Sequence, residues 1–223
     1  MERVLEPEVM DTAEDAEEYD AMDFAEPNTR FAEDALALVR GVVDAEILDI
    51  GTGTADIPVR VLQRDPRVRI VGVDLAQEML RVAAQKVASA GFAERCRFQL
   101  VDAKSLPFEP ESFDMVMSNS IAHHIPQPIV LFEQIARVVK KGGAIIVRDL
   151  IRPPSTDEAW AIVERVSPRD TPRQKQLFFD SLCAALALDE VADLVRRAGL
   201  EGMRVAQVSD RHWTAERAFS PSL

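Results

Sequence analysis

Two glycines one residue apart follow a short apolar run, and this pattern brings main chain close to a ligand. The run Ile47–Ile50 contains one acid, Asp49. It leads directly into Gly51, Thr52 and Gly53. Glycine leaves space at such a turn that a side chain would fill. A carboxylate near the end of a buried strand is costly unless it is paired, so Asp49 is predicted to face a ligand or the amides of the turn.

Polar residues also follow the next three predicted strands. They are Asp74, Asp102 and the pair Ser118 and Asn119. Ligands of open parallel sheets bind outside the carboxyl ends of the strands. One polar residue at a strand end is ordinary turn chemistry, but four successive strand ends favour a binding crevice.

The spacing of these residues narrows the class of ligand. A dinucleotide-binding turn has Gly or Ala three residues after its second glycine, whereas this chain has Asp56, whose charge would oppose a pyrophosphate. The Gly-Lys-Ser/Thr of a P-loop is missing from the sequence. Asp74 lies 21 residues beyond Gly53, which suits a carboxylate that accepts hydrogen bonds from ribose hydroxyls. A neutral or cationic nucleoside is the predicted ligand.

The charge of the chain is concentrated at its start. The 223 residues have a formal net charge of −12, and residues 1–26 include eleven acids and one base, Arg3. The rest is nearly neutral, so nucleic acid is not a predicted partner. A solvated arm is the first interpretation of the acidic segment. The second is that its more apolar stretch Tyr19–Phe24 folds over a site.

Composition favours an ordinary globular protein. Hydrophobic residues make up 47% of the chain and charged residues 29%. No apolar run reaches the roughly 20 residues of a membrane helix, and the amino terminus is acidic. We therefore expect no membrane contact and a cytoplasmic location. Cys96 and Cys183 are expected to be free thiols, since they are too few for a disulfide framework.

Strands and helices alternate five times along the first two thirds of the chain. The predicted strands are 47–50, 68–73, 98–101, 113–117 and 144–147, and the predicted helices are 29–42, 57–64, 77–91 and 128–139. This alternation predicts a doubly wound α/β fold with a parallel sheet. Lys140–Gly143 is predicted to end the fourth helix.

The alternation stops after residue 150. Helices are predicted at 157–166 and 171–187 with no strand between them, then a helix at 189–198 and a final strand at 203–208. The predicted organisation is an acidic arm or lid at 1–28, a ligand-binding α/β core at 29–150, a helical cap at 151–187, and completion of the core by 188–223.

Five segments together resemble the class I S-adenosylmethionine-dependent methyltransferases. They are ILDIGTGTADIP, VGVDLAQEML, VDAKSLPF, FDMVMSNSIAHHI and AIIVRDL, and they span about residues 46–150. Within that superfamily, the chain is most similar to the small-molecule group that includes the ubiquinone and menaquinone C-methyltransferases. The resemblance implies a mostly parallel seven-stranded sheet, S-adenosyl-L-methionine as cofactor, and methyl transfer to an O, N or C centre of a small molecule. A homodimer is left open.

The resemblance also assigns cofactor contacts to eleven residues. These are Asp49, Gly51 and Gly53 for the methionine part with Thr52 between them, Asp74 for ribose, Leu75, Met79, Asp102 and Ala103 for adenine, and Ser118 and Asn119 for the floor below the sulfonium. The chain departs from the pattern at Ala55, where many members keep a third glycine.

Two adjacent histidines follow the fourth predicted strand. One interpretation is that one of them packs against the sheet while the other caps the next helix. The alternative is that His124 is catalytic, as a general base or a substrate-orienting group, because imidazole titrates near neutrality. His123, His124 and His212 lack the spacing of a zinc motif, so no metal is predicted.

Three other functions remain open at this point. One is a member that binds the cofactor without catalysing a reaction, the second is an RNA methyltransferase, and the third is a different sulfonium chemistry in the same pocket. The acidic balance disfavours the second, since RNA binding needs basic surface.

Overall fold

The computed structural model describes residues 1–6, 11–22 and 24–221, and only the main chain of Asp15. The helices in these ranges are α1 (Ala13–Asp20), α2 (Ala25–Leu38), α3 (Asp56–Arg64), α4 (Gln77–Ser89), α5 (Ile129–Val138), α6 (Thr156–Val166), α7 (Pro172–Ala184) and α8 (Leu188–Arg197). The strands are β1 (Glu46–Ile50), β2 (Arg69–Asp74), β3 (Cys96–Leu100), β4 (Phe113–Asn119), β5 (Val139–Leu150), β6 (Arg204–Gln207) and β7 (His212–Arg217).

All seven strands belong to one sheet, in the order β3-β2-β1-β4-β5-β7-β6. The first five strands pair in parallel, and β7 runs antiparallel to both β5 and β6. The prediction of a mostly parallel seven-stranded α/β sheet is therefore confirmed. The chain order reverses between β1 and β4, so a crevice opens at their carboxyl ends.

The two faces of the sheet form separate apolar layers because successive strand residues point to opposite sides. Leu48 and Ile50 of β1 belong to the layer that α5 and α8 cover. Ile47 belongs to the opposite layer, which α2, α3 and α4 cover. This double burial explains why β1 is apolar at every position but two, Glu46 and Asp49.

Helices α6 and α7 follow β5 and precede α8 along the chain, and they share a smaller apolar cluster. Its buried members include Leu150, Ala159, Val163, Leu182 and Ala185. The segment boundaries at residues 28, 150 and 187 stay predictions.

Residues 140–143 do not end a helix as predicted, because β5 already begins at Val139. A Cβ atom on Gly143 would lie 2.9 Å from the carbonyl oxygen of Lys140 and 3.0 Å from that of Asp114. The pairing of β5 with β4 is also irregular beside this point, between Phe113 and Met115. The glycine therefore permits a close strand approach, a tertiary requirement that resembles a helix stop in sequence.

The prediction of a final strand at 203–208 is also wrong in one respect. Strand β6 forms there, but β7 follows it and lies between β5 and β6. Trp213, Thr214 and Ala215 of β7 are all buried, so the strand has no simple polar and apolar alternation that would reveal it.

The acidic segment is held against the rest of the fold at particular residues, although most of its described residues are exposed. The Arg3 guanidinium donates to the carbonyl oxygens of His123 (2.9 Å), Ile125 (3.0 Å) and Ala184 (2.6 Å). Ala16 of α1 is fully buried against α4. The single base of this segment thus fixes its start to the rest of the fold.

Two further sequence expectations concern the membrane and the cysteines. Within the ranges given above, no helix combines the length and the apolar character needed to cross a membrane. Cys96 and Cys183 are both buried free thiols, as predicted.

We expect Trp213→Ala to lower the free energy of unfolding by about 3–5 kcal/mol, because its indole is fully buried inside the sheet. The chain's other tryptophan, Trp160, is a natural control. It is 37% exposed and stacks on Phe179, so Trp160→Ala should cost about 1 kcal/mol. Urea unfolding followed by far-ultraviolet circular dichroism measures both values. Equal costs would contradict the interior position of β7.

Candidate functional site

The glycine turn after β1 is held from below by Asp49 and from the side by β2. The Thr52 hydroxyl donates to Asp49 Oδ2 at 2.7 Å. The amides of Gly51 and Thr52 both donate to the carbonyl oxygen of Val73, at 2.9 and 3.0 Å. The turn is therefore a rigid platform at the point where the strand order reverses.

The carboxylate of Asp49 is buried, and among the described residues only the hydrogen bond from Thr52 offsets the cost of burying its negative charge. Only 2% of the residue is exposed, and burial raises the pKa of its carboxyl from 3.8 to about 7. The hydrogen bond from Thr52 opposes this shift, while the negative charge of Asp74 adds to it. A cationic ligand group above the turn would offset the cost of this buried charge.

The turn needs glycine for conformation at two positions and for space at one of them. Gly51 and Gly53 have φ values of 74° and 53°, in the left-handed region. A Cβ atom on Gly51 would lie 2.1 Å from Cγ2 of Ile121. Ala55 also has a left-handed φ, of 62°, immediately before α3. A third glycine would adopt this conformation more readily, so the departure at Ala55 strains the main chain.

Asp74 connects the glycine turn to the start of α4. Its Oδ2 accepts from the Gly53 amide at 2.8 Å, and its Oδ1 accepts from the Ala76 amide at 3.0 Å. Burial raises the pKa of Asp74, and the amide hydrogen bonds oppose that shift. Each carboxylate oxygen has a second lone pair, so Asp74 can still accept hydrogen bonds from a ligand.

An open cleft of about 670 Å³ lies above the turn. The described residues that line it come from β1 and the turn, from the end of β4, from α1 to α4 and from the link between α1 and α2. They include Tyr19, Asn28, Asp49, Gly51, Thr52, Gly53, Asp56, Arg60, Lys86 and Asn119.

One wall of the cleft contains Asp56, whose carboxylate is paired with Arg60. Asp56 Oδ2 accepts from Arg60 Nε at 2.9 Å and from Asn28 Nδ2 at 2.8 Å. Burial raises the pKa of Asp56, but these hydrogen bonds outweigh burial and lower it overall. Asp56, whose charge would oppose a pyrophosphate, therefore joins α2 to α3 through Asn28.

Tyr19 covers the opposite side of the turn. Its Cε1 atom lies 3.7 Å from the position of a Cβ atom on Gly53. Burial, followed in size by the charge of Asp74, raises the pKa of Tyr19 to about 12. Helix α1 rests on Ala76 and Met79 through Ala16. Of the stretch predicted to fold over a site, Asp23 lies outside the described residues, and Tyr19, Met22 and Phe24 line the cleft.

The structure brings some of the predicted cofactor residues together and separates others. Those that line the cleft are Asp49, Gly51, Thr52, Gly53 and Asn119, and Asp74 joins them through the Gly53 amide. Leu75 is 38% exposed, whereas Met79 is buried under α1.

The remaining predicted residues make other contacts. Asp102 Oδ1 accepts from the Lys104 amide at 2.8 Å and lies 3.0 Å from Lys104 Nζ. Ala103 packs against the core on one face of the sheet. The Ser118 hydroxyl is fully buried and donates to the Ile50 carbonyl at 2.9 Å, so it joins β4 to β1.

The two histidines differ in burial and lie outside the described lining of the cleft. His123 is 4% exposed, and its Nδ1 lies 2.6 Å from Asp149 Oδ1. His124 Nδ1 lies 3.2 Å from Glu6 Oε1. The interpretation in which one histidine packs against the sheet fits His123, whereas the catalytic role of His124 stays a prediction.

Sequence reasoning missed Asn28, Arg60 and Lys86 in the cleft wall. Arg60 follows Asp56 by four residues on α3, a spacing that signals an ion pair but not a ligand site. Lys86 of α4 pairs with Asp20 of α1, and no local sequence pattern reveals such a contact between two helices.

Comparison with known proteins gives the family. The profile of a family described as "Methyltransferase domain" matches residues 42–195, which is more than half of the chain. The chain belongs to this methyltransferase-domain family.

Curated relatives include "Methyltransferase GfsG" of Streptomyces halstedii, which is 29% identical over 74% of this chain and 56% of its own length. The "27-O-demethylrifamycin SV methyltransferase" of Amycolatopsis mediterranei is 30% identical over 77% of this chain and 61% of its own length. The chain thus spans less than two thirds of these two relatives.

Solved structures share the fold over nearly the whole chain. A putative S-adenosylmethionine-dependent methyltransferase from Methanococcus maripaludis has a TM-score of 0.71 and 16% identity, with 99% of each chain covered. An Aquifex aeolicus methyltransferase has a TM-score of 0.66 and 16% identity, covering 95% of this chain and 100% of its own.

We expect Asp49→Asn to stabilise the protein in a pH-dependent way. The pKa of Asp49 is higher in the folded state than its ordinary 3.8, so folding takes up a proton between pH 4 and about 7. The stability of the wild type therefore falls relative to the variant as pH rises through this window. The difference should be near zero at pH 4 and about 2–4 kcal/mol above pH 7.

Asp65→Asn provides a control of opposite sign. Hydrogen bonds from Arg67 lower the pKa of Asp65, so its contribution to stability is present above its unfolded pKa and is lost as pH falls. Denaturant unfolding of both variants from pH 4 to pH 8 makes the comparison. A pH-independent effect of Asp49→Asn would show that its carboxylate is not a costly buried charge.

Proposed function

We propose that this protein is an S-adenosyl-L-methionine-dependent methyltransferase that transfers a methyl group to an O, N or C centre of a small molecule. The observation on which the proposal depends is the buried Asp49 beneath the glycine turn at the switch point of the sheet. Membership of the methyltransferase-domain family supports it. So do relatives named as methyltransferases of rifamycin and menaquinone precursors.

The residues of the cleft fit this cofactor. When bound, S-adenosylmethionine supplies a methyl group on a positively charged sulfur. Asp49 offers a buried negative charge to a cofactor that has an ammonium group and a sulfonium. The glycine turn leaves space for it, and Asp74 offers carboxylate oxygens to ribose hydroxyls.

Alignment of three atoms is the main chemical requirement of the reaction. The acceptor atom, the methyl carbon and the sulfur must lie in line, and positioning alone lowers such a barrier greatly. Asn119, at the end of β4, lines the cleft next to the turn and is the residue we assign to orienting the groups there. A general base is needed only for acceptors that must lose a proton.

The groove between α1 and α7 is the acceptor site that we favour. It has a volume of about 550 Å³, and Leu177, Gln174 and Arg173 line it on the α7 side. On its other side, Tyr19 and Met22 line both this groove and the cleft above the turn. An acceptor in the groove would therefore adjoin the cofactor, under cover from the N-terminal segment and α7 together.

Several narrower expectations stay predictions from the sequence. They are a cytoplasmic location, no binding of nucleic acid or membrane, and a homodimer as one assembly compatible with the chain. The net charge of −12 still disfavours an RNA acceptor.

We expect isothermal titration calorimetry to detect binding of S-adenosylhomocysteine to the full chain. Asp74→Ala should weaken this binding by about 10-fold to 100-fold, since it removes a charged hydrogen-bond acceptor for ribose. Asp65→Ala, which changes an aspartate of a surface turn, should leave the affinity unchanged. No binding at millimolar ligand would refute the proposed cofactor, whereas unchanged affinity of Asp74→Ala would refute only its ribose role.

We expect S-adenosylhomocysteine to protect α1 from a protease that cleaves after glutamate. Glu14, Glu17 and Glu18 are exposed on α1, whose Tyr19 lies over the cleft. A ligand beneath the helix should reduce its opening and slow cleavage there several-fold. Cleavage at the exposed Glu111, between β3 and β4, is the internal reference. Equal slowing at both places, or none at α1, would contradict a lid role for the segment.

A further inference from the structure

Four separate elements bring a second polar cluster together outside the cleft. Glu6 comes from the N-terminal segment, and His123 and His124 come from the loop between β4 and α5. Asp149 lies near the end of β5, and Ser181 lies on α7. The function proposed above uses none of the contacts among these five residues.

Three ligand-type atoms converge within this cluster. Glu6 Oε1 lies 3.3 Å from His123 Nε2 and 3.2 Å from His124 Nδ1. All three atoms lie within 4.8 Å of one another. Ligand atoms about 2.0–2.1 Å from a tetrahedral Zn²⁺ are themselves about 3.3–3.4 Å apart, so the two measured separations match those of neighbours around one ion.

The two separations are longer than a straight charge-assisted hydrogen bond. A charged imidazole N–H and a carboxylate normally approach to about 2.7–2.9 Å in a straight hydrogen bond. Glu6 Oε1 is buried, and within the described residues it accepts no hydrogen bond of acceptable geometry, although both imidazoles are adjacent. The carboxylate oxygen is therefore at similar distances from two imidazole nitrogens.

Further hydrogen bonds orient two of these three side chains, in the way that residues behind the ligands of a metal site orient those ligands. Asp149 Oδ1 lies 2.6 Å from His123 Nδ1, and its Oδ2 accepts from the His123 amide at 3.1 Å. Asp149 therefore holds a hydrogen on Nδ1, so that Nε2, the nitrogen nearer to Glu6, is the one that would bind a metal ion once its proton is lost. The Ser181 hydroxyl donates to the other oxygen of Glu6 at 3.1 Å.

The charge of the cluster also suits a cation. Glu6 and Asp149 are 9% and 1% exposed at their side chains, so two acids are buried near each other. The Arg3 guanidinium donates to main-chain carbonyls of the same loop. A divalent ion bound between Glu6 and the two imidazoles would place positive charge beside both buried acids.

We propose that Glu6, His123 and His124 bind a divalent transition-metal ion of the Zn²⁺ class through Oε1, Nε2 and Nδ1. Two imidazoles and one carboxylate form a donor set that zinc accepts, with a fourth position for water. Asp149 and Ser181 are positioning residues. The ion joins the N-terminal segment to the loop after β4 and so fastens residues 1–6 to the fold.

The test uses the full chain without a histidine tag, stripped with a chelator and titrated with Zn²⁺ by calorimetry. We expect one ion per chain. Glu6→Gln and His124→Gln should each weaken binding by about 100-fold or more, and Asp149→Asn by about 10-fold to 100-fold. Glu2→Gln, an exposed glutamate of the same segment, and His212→Gln are the matched controls and should bind Zn²⁺ as the wild type does.

Two further measurements complete the test. Co²⁺ in place of Zn²⁺ should give visible absorption without a sulfur charge-transfer band, which excludes Cys183 as a ligand. Hydrogen exchange of the Val4 amide, which donates to the Cys183 carbonyl at 3.1 Å, should slow when Zn²⁺ is added.

Each variant is first shown to be folded by circular dichroism, so that lost binding reports the site. Failure of the wild type to bind Zn²⁺, or full binding by both Glu6→Gln and His124→Gln, would overturn the metal site. Unchanged exchange at Val4 would overturn its fastening role. These outcomes are independent of the methyltransferase proposal, which is tested by S-adenosylhomocysteine.

Discussion

The burial of one carboxylate, Asp49, is the constraint around which the site is built. The residue is the next to last of the central strand, where both faces of the sheet are covered by helices. Asp49 accepts a hydrogen bond from the Thr52 hydroxyl, which shapes the glycine turn. The Gly53 amide of this turn then donates to Asp74. A charge placed at Asp49 destabilises the fold in the absence of a cation, which is the cost that the proposed ligand would offset.

The N-terminal segment is the second organising feature, because its acids have specific partners. Glu6 meets the two histidines, Asp20 pairs with Lys86, and Asp11 accepts from the Glu78 amide at 3.0 Å, where it lies at the positive end of α4. One stretch of chain thus contacts the histidine cluster with its start and the glycine turn with α1. Some of the negative charge at the start of the sequence therefore has specific partners, while other acids such as Glu2 and Glu14 are exposed.

The sequence-based predictions are accurate where the interacting residues are close along the chain, and they fail where the residues are far apart. The glycine turn and the acids at the ends of β1 and β2 were found because their spacing is local and their chemistry is distinctive. Lys140–Gly143 was misassigned because a glycine required by strand packing looks the same as one that ends a helix. Strand β7 was missed because a strand buried on both faces lacks an alternating pattern, and its partner β5 lies more than sixty residues earlier.

The sequence by itself determined the parallel core and the glycine turn, because these depend on periodicity and on residues that are close along the chain. Only the tertiary structure decided that Tyr19 covers the turn, that Ser118 joins two strands, and that Glu6 meets His123 and His124. The physical reason is that such contacts join segments whose meeting depends on packing of the whole core. Glu6 and His123 are separated by more than a hundred residues in sequence and by 3.3 Å in space.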